Sequence, residues 1–257
     1  MRVNLEPPVS LDFLDGYLFR LLQEIASKHG LEQSGFENYY GYRLKEKIGG
    51  LIEYEEGLAR YLLEGYPGRR VVHAGIGVGT LACALACNGM TVAGVEYYPR
   101  RVESARHLRA ALIEIWPEVE ARYEILEGTY PQALMPAPAP APNPAQRTSR
   151  FFLPWRRRPE RPAPAAEPGP AALWFDSNAI LIFTNVAAGW DEPATASIIE
   201  TMPRFAEAIL DLRLFGSDRE DERDRTALFD RIASTARSAE RLPQIARGSY
   251  FARFVFA

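Results

Sequence analysis

The sequence has few of the features that mark several large classes of protein. Its 257 residues include 2 cysteines and 3 histidines, and no set of them has the spacing of a zinc finger. No run of about 18 apolar residues occurs, so we expect no membrane-spanning helix. The first eight residues lack the apolar core of a signal peptide. We therefore expect a cytoplasmic protein.

An excess of one charge is also lacking. The formal net charge is -3, with 25% charged residues, which argues against a general nucleic-acid-binding surface. The hydrophobic content of 47% fits a soluble globular chain with a sizeable core. Cys83 and Cys87 lie four residues apart in an alanine- and leucine-rich run. We predict that both are reduced and buried, as free cysteines usually are.

Proline, in contrast, is abundant and unevenly distributed. Twelve of the 20 prolines fall within residues 131–170, which also contain six arginines and two glutamates. Such a segment cannot build a core and favours an extended, polyproline-like conformation. We predict a disordered insertion. Its aromatic and arginine-rich part, residues 151–158, could contact a partner protein, an anionic membrane surface or nucleic acid; the alternative is a surface excursion without a role.

Hydrophobic periodicity predicts the order of helices and strands. Two amphipathic helices, at 10–28 and 51–64, make residues 1–68 a helical N-terminal cap. From residue 69 to 257, strands alternate with helices around the insertion, which predicts a doubly wound α/β domain with a mostly parallel sheet. The predicted strands are 71–72, 91–96, 123–126, 179–183, 212–215 and 250–256, and the helices between them are 79–88, 99–112, 194–210 and 219–236.

The motif with the clearest functional meaning is a glycine-rich turn. Residues 71–80 read Val-Val-His-Ala-Gly-Ile-Gly-Val-Gly-Thr, between a predicted strand and a predicted helix. Glycines let a ligand approach the backbone closely, and a helix N-terminus offers free N–H groups. The next strand ends at Glu96, whose carboxylate can accept hydrogen bonds from both hydroxyls of a ribose. We predict a nucleoside cofactor; the alternative is a tight turn with a surface glutamate.

The glycine spacing distinguishes between cofactors. The dinucleotide fingerprint is G-x-G-x-x-G, whereas this turn is Gly75-x-Gly77-x-Gly79. Together with Leu81–Ala86 and the Val92–Glu96 strand, it resembles the class I S-adenosylmethionine-dependent methyltransferases. The resemblance covers residues 55–130 well and 172–257 by element order. It implies a Rossmann-like, seven-stranded type of sheet and S-adenosylmethionine as the cofactor.

The resemblance also implies roles for individual residues. The three glycines would border the methionine and ribose portions of the cofactor, and Glu96 would bind the ribose hydroxyls. The adenine would meet residues that follow the second and third strands. These are Tyr97, Glu127 and Thr129.

One position departs from the family pattern. The family commonly begins its glycine motif with Asp or Glu, which helps to hold the methionine amino group, but this chain has His73. A neutral imidazole can accept one hydrogen bond but offers no fixed negative charge. Either His73 contacts the cofactor or its waters, or it is a packed histidine at a strand end.

The methyl acceptor is expected beyond the fourth strand. Thr184 and Asn185 fall where amino-directed methyltransferases carry an Asn/Asp-Pro-Pro-aromatic motif, but the prolines are absent. Asn185 could orient an acceptor, and Asp191 or Glu192 could act as a base; the alternative is a strand-end turn with a helix N-cap. An aromatic loop in the cap could line the acceptor pocket or simply pack on the core. Its tyrosines are Tyr39, Tyr40 and Tyr42.

The residues and the resemblance together predict a methyltransferase that acts on an unidentified small molecule. Two other functions stay open: transfer of the aminocarboxypropyl group from the same cofactor, and a non-catalytic scaffold or sensor that docks through the insertion. A nicotinamide-dependent oxidoreductase is disfavoured by the glycine spacing. No oligomeric state is predicted.

Overall fold

A computed structural model of the chain describes residues 8–29, 49–135, 174–184, 190–213, 218–246 and 249–256. Helices and strands alternate through most of these residues. The helices are α1 (Leu11–His29), α2 (Glu53–Gly65), α3 (Thr80–Cys87), α4 (Pro99–Ile113), α5 (Val119–Arg122), α6 (Glu192–Thr201) and α7 (Asp218–Ala233), and the strands are β1 (Arg70–Ala74), β2 (Thr91–Glu96), β3 (Tyr123–Glu127), β4 (Ile180–Phe183), β5 (Glu207–Asp211), β6 (Ser238–Arg241) and β7 (Phe251–Val255).

The strands form one seven-stranded sheet in the order β3-β2-β1-β4-β5-β7-β6. The first five strands along the chain are parallel to one another, and β7 runs antiparallel between β5 and β6. The predicted doubly wound, mostly parallel sheet is therefore confirmed. The strand order reverses between β1 and β4, which is the position where such sheets bind ligands.

The predicted helix at 194–210 and strand at 212–215 are wrong. The helix α6 ends at Thr201, a short 3₁₀ turn follows at Met202–Arg204, and the strand β5 covers 207–211. All five residues of β5 are buried, and its apolar part, residues 208–210, is too short to have a periodicity that separates a strand from a helix. Pro203 lies just after the end of this helix, within the 3₁₀ turn.

The strand β6 was not predicted. Its four residues are mostly exposed, so they lack the apolar alternation on which strand prediction depends. As the last strand of the sheet it pairs on one side with β7, and its charged residues suit an exposed sheet edge.

Two apolar clusters cover the two faces of the sheet. One face, called here the α2 face, packs Val71, Ile182 and Ile209 against residues of α1, α2 and α3. The other face packs Val72, Leu181 and other strand residues against α6, α7 and the segment before residue 135. Cys83 and Cys87 are free and buried on α3, as predicted. Among the described residues, no helix is long and apolar enough to cross a membrane.

The start of the predicted insertion is part of the folded structure. Gln132–Leu134 form a 3₁₀ turn, and Leu134 is fully buried against the face opposite α2. Residues 136–173, which include the aromatic and arginine-rich stretch 151–158, lie outside the described residues.

Candidate functional site at the carboxyl edge of the sheet

The glycine-rich turn links β1 to α3 through three left-handed residues. Gly75, Gly77 and Gly79 have φ values of 74°, 60° and 85°, a region that non-glycine residues rarely adopt. The turn is tied to the neighbouring strand because the Gly75 N–H donates to the Val95 carbonyl oxygen at 2.8 Å. Its conformation explains why glycine recurs at every second position.

Glu96 holds the turn in place from the end of β2. Its side chain is 2% exposed, and its Oε2 accepts a hydrogen bond from the Gly77 N–H at 2.9 Å. Its Oε1 accepts from the N–H groups of Tyr97 and Tyr98 at 3.1 and 3.0 Å. A carboxylate has about four lone-pair positions, so three backbone donors leave acceptor capacity for a ligand.

His73 and Thr184 meet at the ends of β1 and β4. The His73 Nε2 lies 2.8 Å from the Thr184 Oγ1, and the two side chains are 1% and 7% exposed. The other ring nitrogen, Nδ1, is buried without a hydrogen-bond partner. The structure therefore joins a predicted cofactor residue to a predicted substrate residue.

The imidazole of His73 is neutral at physiological pH. Complete burial lowers its pKa to about 3, because a charged ring would lose its hydration. If the Thr184 hydroxyl donates to Nε2, then Nδ1 carries the proton and can donate to a carboxylate. With the opposite arrangement, Nδ1 can accept from an ammonium group.

A fully buried carboxylate, Asp211, extends this row of polar side chains. The register pairs Phe183 of β4 with Leu210 of β5, so the next residues, Thr184 and Asp211, lie level with each other. Asp211 follows Ile209 by two positions, which places it on the α2 face. Four adjacent strands thus carry buried polar side chains at one edge. We call this set the polar row: Glu96 on β2, His73 on β1, Thr184 after β4, and Asp211 on β5.

A second buried carboxylate lies where α2 approaches the turn. Glu55 is 3% exposed and accepts from the hydroxyl of Thr80, the first residue of α3, at 2.9 and 3.0 Å. Glu55 also accepts from the Ile52 N–H at 2.9 Å, which caps the start of α2. This contact joins the helical segment before residue 68 to the helix that follows the glycines.

The predicted adenine residues lie at the ends of β2 and β3. Tyr97 is 65% exposed. Glu127 pairs in register with Glu96, is exposed, and forms an ion pair with Arg106 at 3.0 Å. The exposed Thr129 donates its hydroxyl proton to Gln132 at 3.1 Å. The fold therefore brings all three beside Glu96 at the ends of β2 and β3.

Asp191 has a structural partner. It is the N-cap of α6, where its Oδ1 accepts from the Ala194 N–H at 2.8 Å; this matches the alternative of a helix N-cap. Asn185 and the tyrosines at 39, 40 and 42 lie outside the described residues. Within the described part of the chain, no three His, Cys, Asp or Glu side chains form a group that could hold a metal ion.

Sequence reasoning missed Asp211 and Glu55. Asp211 fell in a supposed turn because β5 was predicted as the end of a helix. The alternation of Ile209 with Asp211 would have marked it as a strand-end carboxylate only once the strand was known. Glu55 gave no sequence signal, since an acidic residue in the first turn of a helix is common.

Comparison with known proteins identifies the fold. The sequence matches no protein-family model and no curated protein. The structure has the fold of the class I S-adenosylmethionine-dependent methyltransferases, as the predicted resemblance implied.

The individual similarities are low in sequence and extensive in structure. Cofactor-bound Rv0187 from MTB is 13% identical with a TM-score of 0.52, and 99% of each chain is covered. The methyltransferase domain of bacterial CtHen1-CN is 13% identical with a TM-score of 0.51, covering 79% of this chain and 98% of that domain. A putative O-methyltransferase from Klebsiella pneumoniae is 11% identical with a TM-score of 0.50, covering 95% of this chain and 97% of the other.

Proposed function

We propose that this protein is an S-adenosylmethionine-dependent methyltransferase that acts on a small molecule. The observation that carries the proposal is the buried Glu96 carboxylate, which is bound to the Gly77 N–H at the carboxyl edge of the sheet. A carboxylate at the second strand end, beside a strand–glycine–helix turn, is the arrangement that recognises a ribose. The cofactor-bound and O-methyltransferase structures of the same fold support it.

The residues at this edge fit the groups of the cofactor. Glu96 retains acceptor capacity for the ribose hydroxyls, and the glycines at 75 and 77 present backbone without Cβ atoms. The unpartnered Nδ1 of His73 offers one hydrogen bond to the methionine portion. The exposed ring of Tyr97 offers a stacking surface for the adenine, with Glu127 or Thr129 beside it. When bound, the cofactor supplies an electrophilic methyl group.

His73 makes this site different from one with an acid at the same position. A neutral imidazole supplies direction but no fixed negative charge, so recognition of the methionine ammonium has less electrostatic attraction. The hydrogen bond to Thr184 fixes the ring orientation, which limits the entropy lost when a ligand binds. We infer a site of ordered hydrogen bonds with weak charge complementarity.

The acceptor side is proposed to lie over the ends of β4 and β5. Thr184 borders it from the polar row, while the Asp191 carboxylate is engaged with the start of α6. Asn185 and the aromatic loop with Tyr39, Tyr40 and Tyr42 stay predictions for this side. An in-line methyl transfer depends mainly on alignment.

Calorimetric titration with S-adenosylmethionine, its demethylated product and NADH tests the proposal. We expect both sulfur-containing ligands to bind and NADH not to bind. Binding of NADH alone would overturn the cofactor assignment. A well-folded sample that binds none of them favours a scaffold, and product analysis by mass spectrometry separates methyl transfer from aminocarboxypropyl transfer.

Substitution of Glu96 gives a sharper test of the same site. We expect Glu96→Ala to weaken S-adenosylmethionine binding by about tenfold or more, because lost ribose hydrogen bonds cost about 1.4 kcal/mol or more. Glu96→Gln keeps one acceptor oxygen and the volume, so we expect an intermediate affinity. Glu120→Ala, an exposed carboxylate on α5, is the matched control. An affinity of Glu96→Ala equal to that of the control removes Glu96 from the site.

A further inference from the structure

Asp211 is a buried carboxylate that takes no part in the hydrogen bonds between Glu96 and the glycine turn. It is 0% exposed, and its Oδ1 accepts from the Arg213 N–H at 3.2 Å. Its Oδ2 is buried without a hydrogen bond of standard geometry; its ion-pair partner among the described residues is the Arg213 Nε, 3.8 Å away, and the backbone of Tyr250 interacts weakly with the same carboxylate. A buried carboxylate oxygen without a hydrogen bond costs stability, and such groups persist where a ligand uses them.

The polar row places Asp211 on the side of the acceptor. Neighbouring parallel strands lie about 4.8 Å apart, so the row runs from Glu96 across His73 and Thr184 to Asp211. If Glu96 binds the ribose and His73 contacts the methionine portion, the cofactor lies over the carboxyl ends of β2 and β1. The ends of β4 and β5 then remain for the second substrate, and Asp211 is the charged member of the row there.

Aromatic rings adjoin the carboxylate. Phe251 on β7 is the register partner of Asp211, and its ring centroid lies 6.2 Å from that of Tyr54 on α2. The Arg213 guanidinium lies over the Tyr54 ring at 5.8 Å. Phe251 and Tyr54 are 1% and 8% exposed. A carboxylate bordered by rings suits a ligand with an apolar ring and a hydrogen-bond donor.

We propose that Asp211 is the catalytic base for a phenolic acceptor, an inference that rests on the proposed methyltransferase function. The phenol donates its hydroxyl hydrogen bond to Oδ2. As the phenolic oxygen forms a bond to the methyl carbon, the carbon–sulfur bond breaks and its electron pair stays on sulfur. The phenolic proton moves to Oδ2. The products are an aryl methyl ether, the demethylated cofactor and a protonated Asp211.

The chemistry of the base favours a phenol over other acceptors. Burial raises the pKa of Asp211, although the Arg213 charge and backbone hydrogen bonds from Arg213 and Tyr250 oppose that shift, and a raised pKa makes the carboxylate a stronger base. Phenols ionise near pH 10, as tyrosine does, whereas aliphatic alcohols are far weaker acids. A neutral amine can attack before it loses its proton, so it needs no buried base.

The experiment compares the wild type with Asp211→Asn and the matched surface variant Asp230→Asn, whose residue is exposed on α7. Each is incubated with methyl-labelled S-adenosylmethionine and simple phenols, aliphatic alcohols, primary amines or thiols. We expect the wild type and Asp230→Asn to label phenols. We expect Asp211→Asn to lose about a hundredfold or more in rate while binding S-adenosylmethionine as tightly as the wild type.

Unfolding midpoints at pH 7 provide a readout besides activity. The pKa of Asp211 is raised in the folded protein, so its favourable contribution to stability exists at low pH and is lost as the pH rises through the folded value. Once ionised, the carboxylate therefore costs stability. We expect Asp211→Asn, which keeps an Oδ1 acceptor for Arg213, to unfold at a higher urea concentration than the wild type.

The outcomes distinguish a wrong assignment of Asp211 from a wrong proposed function. A lower unfolding midpoint for Asp211→Asn makes the residue structural and overturns the proposal. Labelling of amines or thiols alone, or of no probe by a wild type that binds the cofactor, also overturns it while leaving the proposed cofactor intact. Failure of the wild type to bind S-adenosylmethionine rejects the proposed function itself.

Discussion

At the residue scale, His73 links the site to the stability of the fold. Its ring is fully buried and neutral, with one nitrogen bound to Thr184 and the other without a partner. A protein core that keeps an incompletely paired imidazole gives up some stability for it. The burial of this ring therefore makes the folded state sensitive to acid.

The acid sensitivity has a definite sign. His73 has a folded pKa of about 3 against a reference value of 6.5. Between these values the unfolded chain takes up a proton that the folded chain does not, so stability falls by about 1.4 kcal/mol per pH unit as the pH decreases. The free energy of unfolding measured with urea should decrease by roughly 1 to 2 kcal/mol between pH 6.5 and pH 5 because of this residue.

The comparison variant for this prediction is His73→Asn. It keeps a polar group for Thr184 but does not titrate, so its stability should depend less on pH by the amount given above. Equal pH dependence in both proteins would contradict burial of a neutral imidazole. All other titrating groups are common to the two chains and cancel.

At the element scale, the glycine turn was predicted and the polar row was not. The glycine spacing is a local signal, and so are the apolar strand before it and Glu96 at the end of β2. All three lie within about 30 residues of chain. The contact between His73 and Thr184 joins positions 111 residues apart, and no local pattern specifies such a pair. Asp211 was not identified as a site residue because most of β5 was predicted as part of the helix at 194–210. Apolar content alone did not distinguish a buried strand from a helix.

The N-terminus of α3 gives a prediction about the turn itself. Gly79, with φ of 85°, has no room for a side chain, since a Cβ would lie 2.5 Å from the Tyr123 hydroxyl oxygen. Gly79→Ala should cost about 1–2 kcal/mol for the left-handed backbone and about 1–3 kcal/mol more for overpacking. Gly89→Ala is the matched control, because φ is 90° there and no atom lies within 4 Å of the added Cβ.

A second substitution separates the two costs. The Tyr123 hydroxyl is buried without a hydrogen bond, so Tyr123→Phe alone should be neutral or stabilising. In that background, Gly79→Ala should cost only about as much as Gly89→Ala. Chemical denaturation of the four variants measures these differences, and an undiminished cost in the Phe background would refute the proposed clash.

At the scale of the whole molecule, stability should decrease from the middle of the sheet towards β6. The central strands β1 and β4 are paired on both sides and are almost entirely buried. The edge strand β6 has one partner among the described strands and is largely exposed. We expect amide hydrogens of β1 and β4 to exchange with solvent near the rate of global unfolding, and those of β6 much faster. Mass spectrometry of peptic fragments measures this, and equal protection of β6 would contradict it.

The place of β4 in the sheet has a consequence for synthesis on the ribosome. β1 is paired on one side with β2, which follows it closely, and on the other with β4, which is translated roughly a hundred residues later. Until then β1 lacks its second partner strand, and translation of the proline-rich segment falls within that interval. The carboxyl-edge site cannot exist on the nascent chain before β4 and β5 have been translated, so a ligand that needs all four strands of the polar row can bind only after residue 211 has emerged.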